Sequence, residues 1–498
     1  MSTESTALRA KVYMDYAATA PVDVRVAQRM AEVLALPPGN AAANHAAGQA
    51  AQQLVETART QVAALIGANA ADIVFTSGAT ESNNLAITGT ARAALARGGK
   101  PHVITLATEH KSVLEPVRAL QSQGVTVTVL RPDANGLLDA AVLDAVITPA
   151  TCLVSLLHVN NETGVMQDLD ALRRVCAAHQ VPLHIDASQS AGRLPVDVTD
   201  TALLSFTAHK LGGPPGIAAL WVAPSHRGRL QAQLLGGGHE RGLRAGTLAV
   251  HQIAGFGLAC ELAAQCREVE QARLQRLRDR LWQHLQQLPG VVLNGHPQSR
   301  APGILNVTFA GVEGESLFAG LTELTLATGS ACNSRSGEPS YVLRALGRDT
   351  EQAQSSLRFS LGAHTTEQDI GTAIAAVQRV HGALWSLSPA RPAPLQGLQG
   401  APGQILMGEA GAEKLGTWVR FVLQIDGTVK DARVQAYGCP HTVAACHHVV
   451  AALQGRSLDD LVPGTPAQWG VAIDAPVEKL GRILIIEDAL QAICRARK

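Results

Sequence analysis

Lys210 stands in "SFTAHKLGG" (205–213), after a short apolar run and His209 and before two glycines. A lysine in such a place is ordinarily a solvated surface charge. Three other stretches give it company. In "HIDASQSAGRLPVD" (184–197), Asp186 ends an apolar run and Gln189 follows three residues on. A carboxylate leaving a buried strand costs free energy unless a cation meets it. "FTSGATESNNLAI" (75–87) has the form of a strand, a Gly-containing turn and a helix start. The backbone N–H groups of that turn, with the Thr80 hydroxyl, suit a phosphate at a helix N-terminus. "TEHKSVLEP" (108–116) sets the His110 ring just beyond another apolar run. Together these supply a phosphate cradle, a ring for stacking, a carboxylate for a ring cation and an amine for a covalent link. Pyridoxal phosphate asks for that set, its pyridinium nitrogen being the cation that Asp186 would meet.

One thiol stands apart from the rest. Eight cysteines are scattered at 152, 176, 260, 266, 332, 439, 446 and 494, with no CxxC pair. That usage fits a reducing compartment with free, mostly buried thiols. Cys332 differs, because "LATGSACNSRSGEPS" (326–340) surrounds it with small, polar, turn-forming residues. Such flanks predict a mobile, exposed loop.

These groups need a frame. From 72 to about 222, the runs "DIVFT", "HVITLA", "VTVTVL", "CLVSLLHV", "VPLHID", "LLSFT" and "AALWV" alternate with amphipathic stretches such as "DLDALRRVCAAHQ". Short, β-branched, mostly apolar runs of this kind predict βαβ units on a mostly parallel sheet covered on both faces. Polar residues cluster just after the runs, where open α/β sheets bind ligands. From about 251 to 290 the pattern is helical, "GILNVTFAGV" (303–312) is strand-like, and 365–384 is helical with Thr365 or Thr366 as cap. These stretches predict a smaller α+β part. "SLSPARPAPLQGLQGAPG" (386–403) has the Pro, Gly and Ser content of an interdomain linker. Beyond it, "WVRFVLQIDGTVKDARVQAYG" predicts a β-hairpin turning at Asp426-Gly427, followed by helices.

The whole chain is 498 residues, 46% hydrophobic, with 41 basic and 41 acidic residues. That length predicts two or more domains. Balanced charge gives no reason to expect nucleic acid or an anionic membrane as partner. The first residues lack an apolar signal core and no stretch reaches the length of a membrane span, so the expected location is the cytoplasm.

Residues 12–385 resemble the cysteine desulfurases, fold type I pyridoxal phosphate enzymes of the class V aminotransferase group. The motifs that carry the resemblance are "YMDYAATAP", "SGATESNN", "TEHKSVLEP", "HVNNETGV", "HIDASQSAGRLPVDV", "AHKLGGPPGI", "GGGHERGLRAGT", "GSACNS" and "EPSYVLRALG". The resemblance implies a large α/β part (about 20–260) and a small α+β part (about 261–385 plus the N-terminal segment). It implies that Lys210 carries pyridoxal 5'-phosphate covalently. Ala79, Thr80, Thr207 and His209 would hold the phosphate, with Thr247 reaching the phosphate of a partner subunit in a homodimer. Asp186 would pair with the ring nitrogen, Gln189 with the phenolic oxygen, and His110 would stack on the ring and move protons. Asn161 would lie beside cofactor and substrate. Arg358 would bind the carboxylate of L-cysteine, for which a planar fork is suited. Asn40 would lie near the same carboxylate, in a segment reading "NAA" where the family has "NPS". Cys332 would take the substrate sulfur as a persulfide, release alanine, and hand the sulfur to an acceptor for iron–sulfur cluster or thio-cofactor synthesis. Two other readings share these residues: a selenocysteine lyase-type enzyme, or a non-catalytic assembly platform.

Residues 404–498 resemble iron–sulfur cluster scaffold proteins through "VQAYGCPHTVAACHHVVAALQGRSLDDL" and "VEKLGRILIIEDALQAI". The resemblance implies three cysteines and an Asp or His around a cluster, yet only Cys439 stands at a matching place. Leu415 and Thr417 occupy the positions of the first Cys and the Asp, and Gly481 and Arg482 those of the His-Cys pair. One thiolate cannot hold a cluster that needs four ligands, so no metal is expected. Cys446 and His441 lie nearby at a different spacing. The expectation is a degenerate scaffold that accepts sulfur on Cys439 or gates its transfer.

Overall fold

Each of the seven apolar runs forms a strand of one sheet, ordered Ile73–Thr76, Ala218–Val222, Leu203–Thr207, Leu183–Asp186, Thr151–Leu157, His102–Leu106 and Thr126–Leu130. The computed structural model describes residues 11–328, 338–398 and 404–496. Five strands from Leu203–Thr207 to Thr126–Leu130 run parallel. Ala218–Val222 runs antiparallel to both its neighbours. Residues along a strand alternate faces, and the two cores follow that alternation. Ile73, Ile104, Val154 and Leu204 face one core, beside Val55 and Val62 of helix Ala46–Leu65. Val74, Val103, Leu153 and Leu203 face the other, beside Leu85 of helix Ala79–Ala96 and Val117 of helix Lys111–Gln121.

The smaller part is an antiparallel sheet ordered Ala327–Thr328, Ser356–Ser360, Ile304–Phe309 and Val291–Leu293. Helix Glu367–Leu387 covers it, started by a capping box between Thr366 and Asp369. A 36-residue helix, Val250–Leu285, joins the two parts. Its first half buries Ile253, Phe256 and Cys260 in the large core, and its second half buries Leu274, Leu277, Leu281 and Leu285 in the small one. The N-terminal strand Val12–Tyr13 pairs in parallel with Leu324–Thr325, and the Met14 carbonyl accepts from Ser360 N at 2.9 Å.

The C-terminal residues form a third core on a sheet of Gln404–Ala412, Thr417–Asp426 and Thr428–Tyr437. The hairpin turns at Asp426-Gly427, with Gly427 in the left-handed region at φ 67°. Helices Pro440–Leu453 and Leu480–Ala496 contribute Cys446, Val449, Ile486 and Leu490 to that core. The strand Gln404–Ala412 carries glycines where β-branched residues would be expected, and close packing explains one of them. A Cβ on Gly408 would stand 2.3 Å from the Ala489 carbonyl oxygen. The linker-like segment is tied down where it is described. Gln435 Nε2 donates to the carbonyls of Ser388 and Arg391 at 3.1 Å, and Arg433 Nη1 donates to those of Pro394 and Gln396 at 3.1 and 2.6 Å.

Candidate active site

A cavity of about 420 Å³ opens beyond the carboxyl ends of the parallel strands. Ala79, Thr80, His110, Asn161, Asp186, Gln189, Thr207, His209, Lys210 and Arg358 all line it. Residues more than 270 positions apart in the chain meet there, because parallel strands bring their ends to one edge of the sheet.

Asp186 is the last residue of strand Leu183–Asp186 and is buried. Its Oδ1 accepts from Ser188 N at 2.9 Å and its Oδ2 from Asn83 Nδ2 at 2.7 Å. Burial pushes the carboxyl up, but the bonds from Ser188 and Asn83 and the Lys210 ammonium outweigh it and hold the group below its usual range. The site thus keeps a buried carboxylate charged. Ser188 Oγ and Asn83 Oδ1, close by, are buried without hydrogen-bond partners.

Lys210 closes the one-turn helix Ala208–Lys210 that follows strand Leu203–Thr207. Gly213 is required three residues after it: a Cβ there would stand 2.8 Å from the Ala208 Cβ and 3.0 Å from its carbonyl oxygen. His209 Nδ1 lies 3.1 Å from Thr19 Oγ1. Burial, with the charges of Lys210 and Arg193, lowers His209 to about 4, so it is neutral at pH 7.

The 18-residue helix Ala79–Ala96 begins at Gly78 with no side-chain cap. A Cβ on Gly78 would meet nothing within 4 Å. The partial positive charge of this helix start faces the cavity wall, a setting that stabilises an anion. His110 caps the next helix, its Nδ1 accepting from Ser112 N at 3.1 Å. That bond leaves the proton of the neutral ring to Nε2. Burial and the charge of Lys210 push His110 down. Gln189 Nε2 donates to the Ala17 carbonyl at 2.8 Å, and Thr207 Oγ1 donates to that of Ile217 at 3.3 Å.

Arg358 is 1% exposed, and its fork is already engaged. Nη1 donates to the Asn161 carbonyl at 2.7 Å and Nη2 to Asp15 Oδ1 at 2.6 Å, while Nε is buried without a partner. Asp15, Asn83, Ser112 and Ser188 were not among the residues expected from the sequence. Each had a signal: Asn83 follows Thr80 by three residues in "SGATESNN", Ser112 follows His110 by two residues in "TEHKSVLEP", Ser188 follows Asp186 by two residues, and Asp15 sits in "YMDYAATAP". Only the return of the N-terminal segment to Ser360 brings Asp15 to Arg358.

Three expected residues stand outside the cavity. Asn40 lines a separate cavity with Arg59, His239 and Glu240, and its Oδ1 accepts from Ala42 N at 3.0 Å. Thr247 is exposed on the large part. Cys439 is buried in the C-terminal domain, Sγ 3.4 Å from Thr442 Oγ1. Cys332 lies outside the described residues. Among the described residues no group of three His, Cys, Asp or Glu side chains gathers as a metal site, and no helix is long and apolar enough to cross a membrane.

Both flanks of 329–337 are fastened beside the cavity. Ala327 pairs with Arg358, and Tyr341 Oη donates to the Glu109 carbonyl at 2.7 Å. Ser340 Oγ donates to the buried Glu162 carboxyl, next to Asn161. Burial pushes Glu162 up to about 7, against the bond from Ser340 and the charge of Arg358. A carboxyl raised from 4.5 to about 7 on folding gives stability present in full below pH 4.5 and lost as pH rises through 7. The loss amounts to roughly 3 kcal/mol. Glu162→Gln cannot ionise, so its melting temperature relative to the native chain is expected to rise by about 3 °C between pH 5 and pH 8.5. Calorimetry at the two pH values measures it.

Residues 12–372 match the Aminotransferase class-V family and residues 396–493 the NifU-like N terminal domain. Cysteine desulfurase IscS of Salmonella arizonae and of Serratia proteamaculans are each 49% identical over 387 residues, covering 77% of this chain and 95% of the relative. A solved NifS-like protein superposes with a TM-score of 0.69 at 30% identity, over 75% of this chain and 99% of that one. DndA from Streptomyces lividans gives 0.60 at 36%, over 69% and 97%. The parallel sheet, the small antiparallel sheet and the site at the strand ends are those of a fold type I pyridoxal phosphate enzyme. The cavity fits that cofactor: an uncapped helix start for a phosphate, a buried charged carboxylate for a ring cation, and a lysine at the edge. With 49% identity to those relatives over 387 residues, the chain belongs to the cysteine desulfurases of the class V aminotransferase family, and it carries a NifU-like domain behind the enzyme.

Proposed function

We propose that the protein is a pyridoxal 5'-phosphate-dependent L-cysteine desulfurase that forms L-alanine and a persulfide on Cys332. The observation that carries this reading is the buried, charged Asp186 facing the same cavity as Lys210. The cofactor, when bound, supplies a carbonyl for the substrate amine and a ring that withdraws electrons from Cα. The chain's residues do the rest. Lys210 holds the cofactor, the helix start at Ala79–Thr80 with Thr207 and His209 holds its phosphate, and Asp186 keeps the ring nitrogen protonated. Gln189 would bond the phenolic oxygen. His110, neutral and half-buried, stacks and relays a proton. Arg358 takes the substrate carboxylate, exchanging the Asp15 carboxylate for it. The Cys332 thiolate attacks the substrate sulfur; an S–S bond forms as the Cβ–S bond breaks, its electron pair stays with the carbon, and that carbon takes up a proton so that the skeleton leaves as alanine.

The reading divides the chain into a desulfurase at 12–385, a connection at 386–403 and a scaffold-like domain at 404–498. It includes a homodimer with Thr247 serving the partner's site, and a cytoplasmic location where thiols stay reduced. The acceptor is a separate protein or the chain's own Cys439. The test is incubation of the holoenzyme with L-cysteine, followed by alanine and sulfide assay and peptide mass spectrometry. Extra sulfur on Cys332 is the expected result. Alanine formed without sulfur on Cys332 would overturn it, and a faster reaction with selenocysteine at equal concentration would favour the lyase reading.

A further inference from the structure

The C-terminal domain rests on the small part of the enzyme through one of its ends. Ser316 Oγ donates to the Gly438 carbonyl across 2.7 Å in a buried contact. The neighbouring Glu315 carboxylate accepts from Lys479 Nζ at 2.8 and 2.9 Å and lies 3.8 Å from Arg482 Nη1. Arg482 Nη1 is shut from solvent and makes no hydrogen bond. A cationic atom in that state needs an anion close by; Glu315 faces it at 3.8 Å, and the Glu313 carboxyl of the same segment also feels its charge. Tyr437 of the domain also lies close to Glu351 of the enzyme, whose charge adds to burial in raising the Tyr437 pKa, a second polar contact across the same boundary.

Three separate segments of the domain gather at this end. Trp418 pairs with Tyr437, which sets Thr417 opposite Gly438. A Cβ on Gly416 would lie 3.8 Å from Arg482 Nη2. The turn at 413–417, the start of helix Pro440–Leu453 and residues 479–482 therefore share one surface, and helix Gly314–Gly320 of the enzyme covers it. These are the segments that hold positions 415, 417, 439, 481 and 482. An arginine and a lysine now present positive charge there, and the covering helix answers with glutamate.

Cys439 lies next to this contact. It follows Gly438, whose carbonyl Ser316 holds, and it is 0% exposed. We propose that this end of the C-terminal domain is a docking surface for helix Gly314–Gly320 of the same chain, and that the Glu315–Lys479–Arg482 contact keeps Cys439 out of solvent until the domain lifts. An exposed ion pair by itself contributes little. Reversing Glu315 does more than remove one, because it sets a third cation against Lys479 and Arg482. The proposal rests on the docked geometry and on the presence of the NifU-like domain; it does not depend on the desulfurase chemistry.

The test uses the full-length holoenzyme and follows N-ethylmaleimide labelling of Cys439 by peptide mass spectrometry. Glu315→Lys is expected to speed labelling roughly fivefold, the factor that about 1 kcal/mol of lost docking produces. Adding Lys479→Glu and Arg482→Glu to that variant restores opposite charges and should return labelling to the native rate. Labelling unchanged by Glu315→Lys would overturn the proposal, and so would labelling that stays fast in the charge-swapped chain. Alanine formation from L-cysteine, measured on the same samples, reports on the enzyme separately: its absence would sink the desulfurase reading whatever Cys439 does.

Discussion

Lys210→Ala is expected to lower alanine formation from L-cysteine by at least about 1000-fold, since covalent catalysis through an amine has no substitute in an alanine side chain. The residue sits at the end of a buried strand, on a one-turn helix whose shape depends on Gly213 fitting against Ala208. Its side chain shares the cavity with Asp186 and His110, and its charge depresses both. Removing the amine therefore does two things. It takes away the covalent hold on the cofactor proposed for this amine, and it takes a cation away from Asp186. The native holoenzyme should be yellow and should bleach with borohydride; the variant should lose the borohydride-sensitive band while its far-ultraviolet circular dichroism stays native. A variant that kept the band and the activity would remove Lys210 from the chemistry altogether.

Cys332→Ser is expected to fail differently. Sulfur abstraction should fall by roughly 100- to 1000-fold, because a serine hydroxyl is a far weaker nucleophile than a thiolate. The borohydride-sensitive band should remain, and L-cysteine should still perturb it. The described walls of the cavity come from strand ends and from helix starts fixed by the large core. The described flanks at Ala327 and Ser340 are held beside Arg358 and Glu162. Stopped-flow absorbance separates cofactor binding from turnover. If the serine variant forms alanine at the native rate, another group takes the sulfur.

Much of the frame was legible in the sequence because each strand of the large sheet is a short β-branched run, a pattern that local propensity and burial both favour. Polar residues after those runs marked the strand ends, and ten of the expected residues share one cavity there. Contacts between distant segments were not legible. Nothing in Ala218–Val222 announces that it runs against its neighbours. Nothing in the N-terminal segment announces that Asp15 will engage Arg358. Gln404–Ala412 was not legible as a strand because Gly408 serves close approach by a helix, which propensity cannot register. The expected division near 260 falls inside one helix, since a helical period carries no mark of which core each turn will join.

That helix has a consequence for how the enzyme comes apart. At 1.5 Å per residue, Val250–Leu285 is a beam roughly 54 Å long, with one end set in each of two apolar interiors. Neither interior can melt without stripping one side of the beam, and a frayed half would leave its leucines or its phenylalanine in water. Heat should therefore dissolve both interiors in a single cooperative step, with no surviving half-enzyme between the native and unfolded chains.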